Sequence, residues 1–118
     1  MRTVRAGQPP KYKVYTATMT QESTDNPVVN VLENNIGPIV WTRQGTGTIV
    51  GTLAGAFETQ KTTVLIGPLL DTDTFHEAFP IINNLDLNEI RFINWSANVN
   101  QPQDNAMFNT TIEIRVYK

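Results

Sequence analysis

The sequence predicts an all-β fold: an antiparallel β-sandwich of about seven strands with an extended N-terminal arm. Three observations carry this. Threonine outnumbers serine sixteen to two, and Thr, Val, Ile and Tyr fill short runs that suit a pleated, half-buried surface. Gly, Pro, Asn and Asp clusters punctuate those runs throughout. The last run, FNTTIEIRVYK (108–118), alternates cleanly, with Ile112, Ile114 and Val116 on one side and Thr111, Glu113, Arg115 and Tyr117 on the other.

The elements follow in order. Residues 1–10 lack periodicity and end in Pro9-Pro10, which favours extended backbone with no donors to offer. They form the arm, and residues 11–118 form one domain. YKVYTATMTQ (12–21) reads as a strand, ESTDNP (22–27) as a turn, VVNVLE (28–33) as a strand and NNIGP (34–38) as its stop. IVWTR (39–43) and TIVGTL (48–53) flank QGTG, a hairpin signal. KTTVLIG (61–67) carries a continuous apolar run, the pattern of a central strand buried on both faces, and Gly67-Pro68 ends it. DTDTFHEAF (71–79) admits one helical turn capped by Asp73 or Thr74 and stopped by Pro80. EIRFINWSA (89–97) returns to strand, and NVNQPQDNA (98–106) is a polar loop. Two packed antiparallel sheets are the natural way to bury such a string of strands.

With 118 residues, 40% of them hydrophobic and 17% charged, the chain has the size and composition of one globular domain with its own core. No apolar run approaches the ~20 residues of a membrane helix, and the basic N-terminus lacks the apolar stretch of a secretory signal. The absence of cysteine excludes disulfides, thiolate metal sites and a thiol nucleophile. Net charge is −2, unevenly laid out. Arg2, Arg5, Lys11 and Lys13 make the first thirteen residues basic with no acid, and the body that follows is acidic. That asymmetry suits contact between copies of the chain. Four cations without recurring aromatic and basic interleaving argue against nucleic acid.

No constellation of side chains reads as catalytic. Only Ser23 and Ser96 are available as serine nucleophiles, and neither sits in a glycine elbow. Glu33, Glu58 and Glu113 have no spacing that pairs them for acid–base work. The glycines of GTGTIVG and GTLAG lack the lysine and the strand-to-helix setting of a phosphate loop and read as turn and bulge glycines. His76 stands among Asp71, Asp73 and Glu77, but the spacing matches neither a helical His pair nor a calcium loop, so no metal or other cofactor is expected. Asn94-Trp95-Ser96 and Asn109-Thr110-Thr111 match the glycosylation pattern at the rate chance would give. Trp41 and Trp95 lie inside apolar runs, which favours core positions for both. On an outer face, either could stack on a sugar ring or anchor a partner.

The run KVYTATMTQESTDNPVVNVLENNIGPIVWTRQGTGTIVGTLAGAFETQKTTVLIG (13–67), with the ending NTTIEIRVYK (109–118), carries a resemblance. Its blocks are Val31–Asn34, Trp41, Thr52–Phe57, Lys61–Thr62 and Ile112–Tyr117. Together they resemble short all-β virion-associated proteins of tailed bacteriophages, including crAss-like phages and related prophages. Residues 68–108 do not align with that pattern, and the arm is an addition to it. The resemblance implies a non-enzymatic structural or decoration protein located in the virion, on capsid or tail, whose partners are other copies of itself and other virion proteins. In that setting the arm residues Arg2, Val4, Arg5, Pro9 and Pro10 are the expected partner-binding tether. The alternative is a carbohydrate- or receptor-binding sandwich with Trp41 or Trp95 and loop 98–106 at its site.

Overall fold

The computed structural model describes residues 11–67, 69, 78–97 and 99–118. Nine strands run in chain order: β1 (Tyr12–Gln21), β2 (Val28–Asn34), β3 (Val40–Gly45), β4 (Thr48–Thr52), β5 (Thr62–Ile66), β6 (Ala78–Leu85), β7 (Glu89–Ser96), β8 (Gln101–Pro102) and β9 (Met107–Tyr117). All pairings are antiparallel. The first sheet has the order β2-β1-β9-β5 and the second β3-β4-β7-β6, with β8 pairing β7 as well. No helix occurs among the described residues. The all-β sandwich expected from the sequence is the fold.

Alternation builds the core. Along β1, Tyr15, Ala17, Met19 and Gln21 turn inward, while Thr16, Thr18 and Thr20 stay partly exposed on the outer face. Along β9, Ile112 and Ile114 are fully buried between the sheets, and Glu113 and Arg115 face out. They meet Ile49 of β4, Ile90 and Phe92 of β7 and Phe57 of the β4–β5 loop in one apolar cluster. Burying each such side chain contributes roughly 1.5–3 kcal/mol, so this two-sheet overlap is the main stabilising feature of the domain.

The β3–β4 hairpin turns where the sequence places it. Gly47 has φ +67, and a Cβ there would stand 2.6 Å from the Gln103 amide nitrogen and 2.8 Å from the Asn94 carbonyl oxygen. Glycine is needed at this position on both counts.

Three expectations are corrected. The count is nine strands instead of seven, because β6 and β8 lie in segments whose composition resembles loop. Pro80 does not stop a helical turn; it sits inside β6, an edge strand where a missing N–H is tolerated. Of that expected helical turn, residues 71–77 lie outside the described residues and Ala78 and Phe79 are strand. KTTVLIG is not a central strand: β5 is the edge of the first sheet, with Val64 and Ile66 packed against the core and Leu65 55% exposed.

Candidate docking face

Strand β7 decides what the second sheet presents outward. Ile90, Phe92, Asn94 and Ser96 alternate inward, which leaves Arg91, Ile93 and Trp95 on the outer face. The register of β6 then sets Phe79 opposite Trp95 and Ile81 opposite Ile93. On the other flank, Pro102 of β8 lies opposite Trp95, and Thr48 of β4 opposite Ile93. Directly opposed residues on one face bring their Cβ atoms to about 4.5–5.5 Å. Phe79, Ile81, Ile93, Trp95 and Pro102 therefore form one apolar band across three strands. Phe79 is 45% exposed and Ile81 41% exposed, while Trp95 and Ile93 are half-buried. The outer face of an antiparallel sheet is ordinarily polar, and a contiguous apolar patch there marks an interaction surface.

The band is bounded by charge. Arg91 pairs with Glu89 at 3.3 Å, and the Asn84 amide donates to the same carboxylate at 3.2 Å. Beyond them, the Asp86 carboxyl accepts from the Asn88 amide and the Asn84 side chain, which hold it below its ordinary value.

The two tryptophans part company. Trp41 is 7% exposed and lies in the core, where its indole packs edge-on against Phe92 at 6.3 Å and donates to the Tyr15 hydroxyl. It offers no surface to a ligand. For Trp95 the core expectation is corrected: the period of β7 turns it to the outer face. Within the described part of loop 98–106, the other half of the alternative glycan site, Asp104 and Asn105 strap the chain to the rest of the fold. The Asp104 carboxylate takes two hydrogen bonds from Arg43, at 2.8 and 3.0 Å, and one from the Gly47 amide at 2.8 Å. Burial pushes that carboxyl up, but these donors and the Arg43 charge outweigh it and hold it below its ordinary value. Asn105 accepts from the Ser23 amide at 2.6 Å, and its own amide donates to Gln21.

A second surface lies where β1 begins. The Lys118 amide donates to the Lys11 carbonyl, and a cleft of about 420 Å³ opens beside it between Lys13, Leu53, Gly55, Lys61, Val116 and Lys118. All four lysines of the sequence thus stand at this end of the sandwich. Within the lining, Glu58 pairs with Lys61 at 3.4 Å.

The arm residues Arg2, Val4, Arg5, Pro9 and Pro10 lie outside the described residues, as do Asp71, Asp73, His76 and Glu77. Among the described residues no group of three potential ligands could hold a metal ion. Of the three carboxylates weighed for acid–base work, Glu58 is engaged by Lys61 and Glu113 by Arg115. Glu33 and Glu113 flank Thr16 from the two neighbouring strands. Asn94 is fully buried, which closes that glycosylation motif in the folded chain.

Phe79 and Ile81 are the residues that sequence reasoning missed. Their signal is the period-two pattern of AFPIINNL, hidden by Pro80. Comparisons of the chain with protein-family models, with curated proteins and with solved structures gave no match in any of the three.

Proposed function

We propose that this chain is a non-enzymatic structural or decoration protein of a tailed-phage virion, acting by self-association and by docking onto a larger assembly. One observation carries the reading: the apolar band Phe79–Ile81–Ile93–Trp95–Pro102 on the outer face of the second sheet. Such a band favours contact with another apolar surface, because each exposed large side chain it buries contributes roughly 1.5–3 kcal/mol. The resemblance of the blocks within 13–67 and 109–118 to virion-associated phage proteins supplies the setting. Other copies of the chain are the first occupants of this face and other virion proteins the next.

Light scattering across a concentration series tests the reading. A mass that rises to a defined oligomer, and that falls back to one chain in a Phe79→Ser/Ile81→Ser variant with an unchanged fold, supports it. A single chain at every concentration overturns self-association.

A second reading keeps one specific support. Trp95 faces outward beside Phe79 and Pro102, a setting in which an indole stacks on a sugar ring. Glycan binding lost on Trp95→Ala, with an unchanged mass, would favour that reading over the first.

A further inference from the structure

The four sheet edges differ in how they are closed. At β3, the Asn26 side chain accepts from the outward Arg43 amide at 2.9 Å. At β6, Pro80 removes a donor and the register shifts between Ile82 and Asn84. At β5, the edge is five residues long and begins beside Lys61. At β2, seven residues contain neither lysine nor proline. Every β2 residue except Val29 is exposed, with Val28 at 74%, Val31 at 48% and Leu32 at 61%. The register shift opposite Thr16 and Ala17 leaves Val28–Val31 as a straight run. Among the described residues β2 pairs with β1 alone, and an apolar edge left open in this way is a template for strand addition.

The β2 segment and the turn before it carry three acids and no cation. Glu22 and Asp25 lie exposed in the turn that leads into β2, and Glu33 lies near its end, with no cation in residues 22–34. The ten residues before Lys11 contain Arg2 and Arg5 and no acid. Within them, RTVRA (2–6) has strand composition and GQPP (7–10) is a spacer that cannot continue a strand.

We infer that residues 2–6 of one copy add as an antiparallel strand to the β2 edge of an adjacent copy. The inference rests on the self-association proposed above and names the acceptor for the arm. Chain direction selects the neighbour. β2 runs antiparallel to β1 and ends near its start, Asn34 lying opposite Tyr15. A chain's own arm, arriving at Lys11, would have to cross β2 and pair with it in parallel, whereas a neighbour's arm is free to pair antiparallel, like every other pair in the sheet. With Val4 opposite Val31, antiparallel pairing sets Arg2 opposite Glu33 and Arg5 opposite Asn30. The single exposed pair Arg2–Glu33 biases such an encounter by about fivefold at most, and the backbone ladder and Val4 supply the rest.

The test uses the full chain, which has no cysteine of its own. Val4→Cys and Val31→Cys proteins are mixed and oxidised, and light scattering is run on the same samples. A disulfide-linked pair of different chains, with a yield about fivefold lower in Arg2→Glu, is the expected result. A double-cysteine chain that closes only within itself, at a concentration where light scattering shows the oligomer, would overturn the inference by placing the arm on its own β2. An oligomer by light scattering without any cross-link would overturn it and leave self-association standing. A single chain at all concentrations would remove both.

Discussion

The Trp41 indole nitrogen donates to the Tyr15 hydroxyl at 3.1 Å, joining β3 of one sheet to β1 of the other inside the core. Tyr15 is 1% exposed, so neither group has water as a substitute. An indole N–H only donates, and a buried one needs an acceptor. Tyr15→Phe leaves that donor unpaired and should cost about 1–3 kcal/mol in denaturant unfolding. Trp41→Ala opens a cavity as well and should cost about 3–5 kcal/mol. A Trp41→Ala chain with an unchanged midpoint would show that the ring is not part of the core.

The partner of that ring across the hairpin is a residue without a side chain. Gly51 lies opposite Trp41, and a Cβ on it would meet the indole at 2.6–2.8 Å. The ring is held on its other sides by Tyr15 and Phe92, so it has no free direction to move. Gly51→Ala should destabilise by about 1–3 kcal/mol, as overpacking does. A neutral result by thermal melting would mean that the hairpin shifts to admit the methyl group.

What the sequence reveals and hides follows from this packing. Wherever a strand has one apolar and one polar face, as in TTIEIRVY, the period and the inward set are legible. EIRFINWS has apolar residues on both faces, so its period marks a strand without telling which tryptophan-bearing face is buried. Pro80 conceals β6 because proline is a breaker in sequence, and only the strand's place at a sheet edge makes it permissible. The docking band needs the β6–β7 register, a relation between segments that no local pattern contains. The straps made by Asp104 and Asn105 are likewise long-range: their partners Arg43, Gly47, Gln21 and Ser23 lie more than fifty residues away.

Fluorescence should separate the two tryptophans. Trp95 is half-buried on the outer face, and Trp41 is enclosed. A soluble quencher should act on Trp41→Phe protein, whose emission comes from Trp95, and leave Trp95→Phe protein nearly unaffected. Equal quenching of both would place Trp41 at the surface and contradict its contacts with Tyr15 and Phe92. Self-association through the apolar band should reduce Trp95 quenching as concentration rises.

Chelator treatment should leave the melting temperature unchanged. The one sequence cluster that invites a metal, Asp71, Asp73, His76 and Glu77, lacks a recognised ligand spacing. A structural ion would couple its binding to folding, so its loss would lower the midpoint. A drop restored by calcium or zinc would establish a site in that segment.

The Arg43–Asp104 fork should make stability depend on acid pH. Both side chains are mostly buried, at 17% and 15% exposure, and the carboxylate receives three hydrogen bonds. Its folded-state pKa lies below its ordinary value, while the unfolded chain titrates near the usual ~3.9. The unfolded state therefore takes up a proton first as pH falls. The stabilisation is fully present above about pH 4–5 and is lost as pH drops through the folded-state value. Arg43, whose pKa the Asp104 contact raises further, stays charged throughout. At neutral pH, Asp104→Ala should cost about 1.5–3 kcal/mol, the usual loss for hydrogen bonds to a charged group. The informative measurement is the difference in unfolding free energy between the natural chain and Asp104→Asn from pH 7 to pH 2. Asparagine still accepts from the Gly47 amide but carries no charge for Arg43. The gap should stay flat down to about pH 5 and narrow below it. A gap that stays constant to pH 2 would show that the carboxylate's charge contributes nothing to the strap. One that widens in acid would mean that burial, and not the Arg43 fork, governs this carboxyl group.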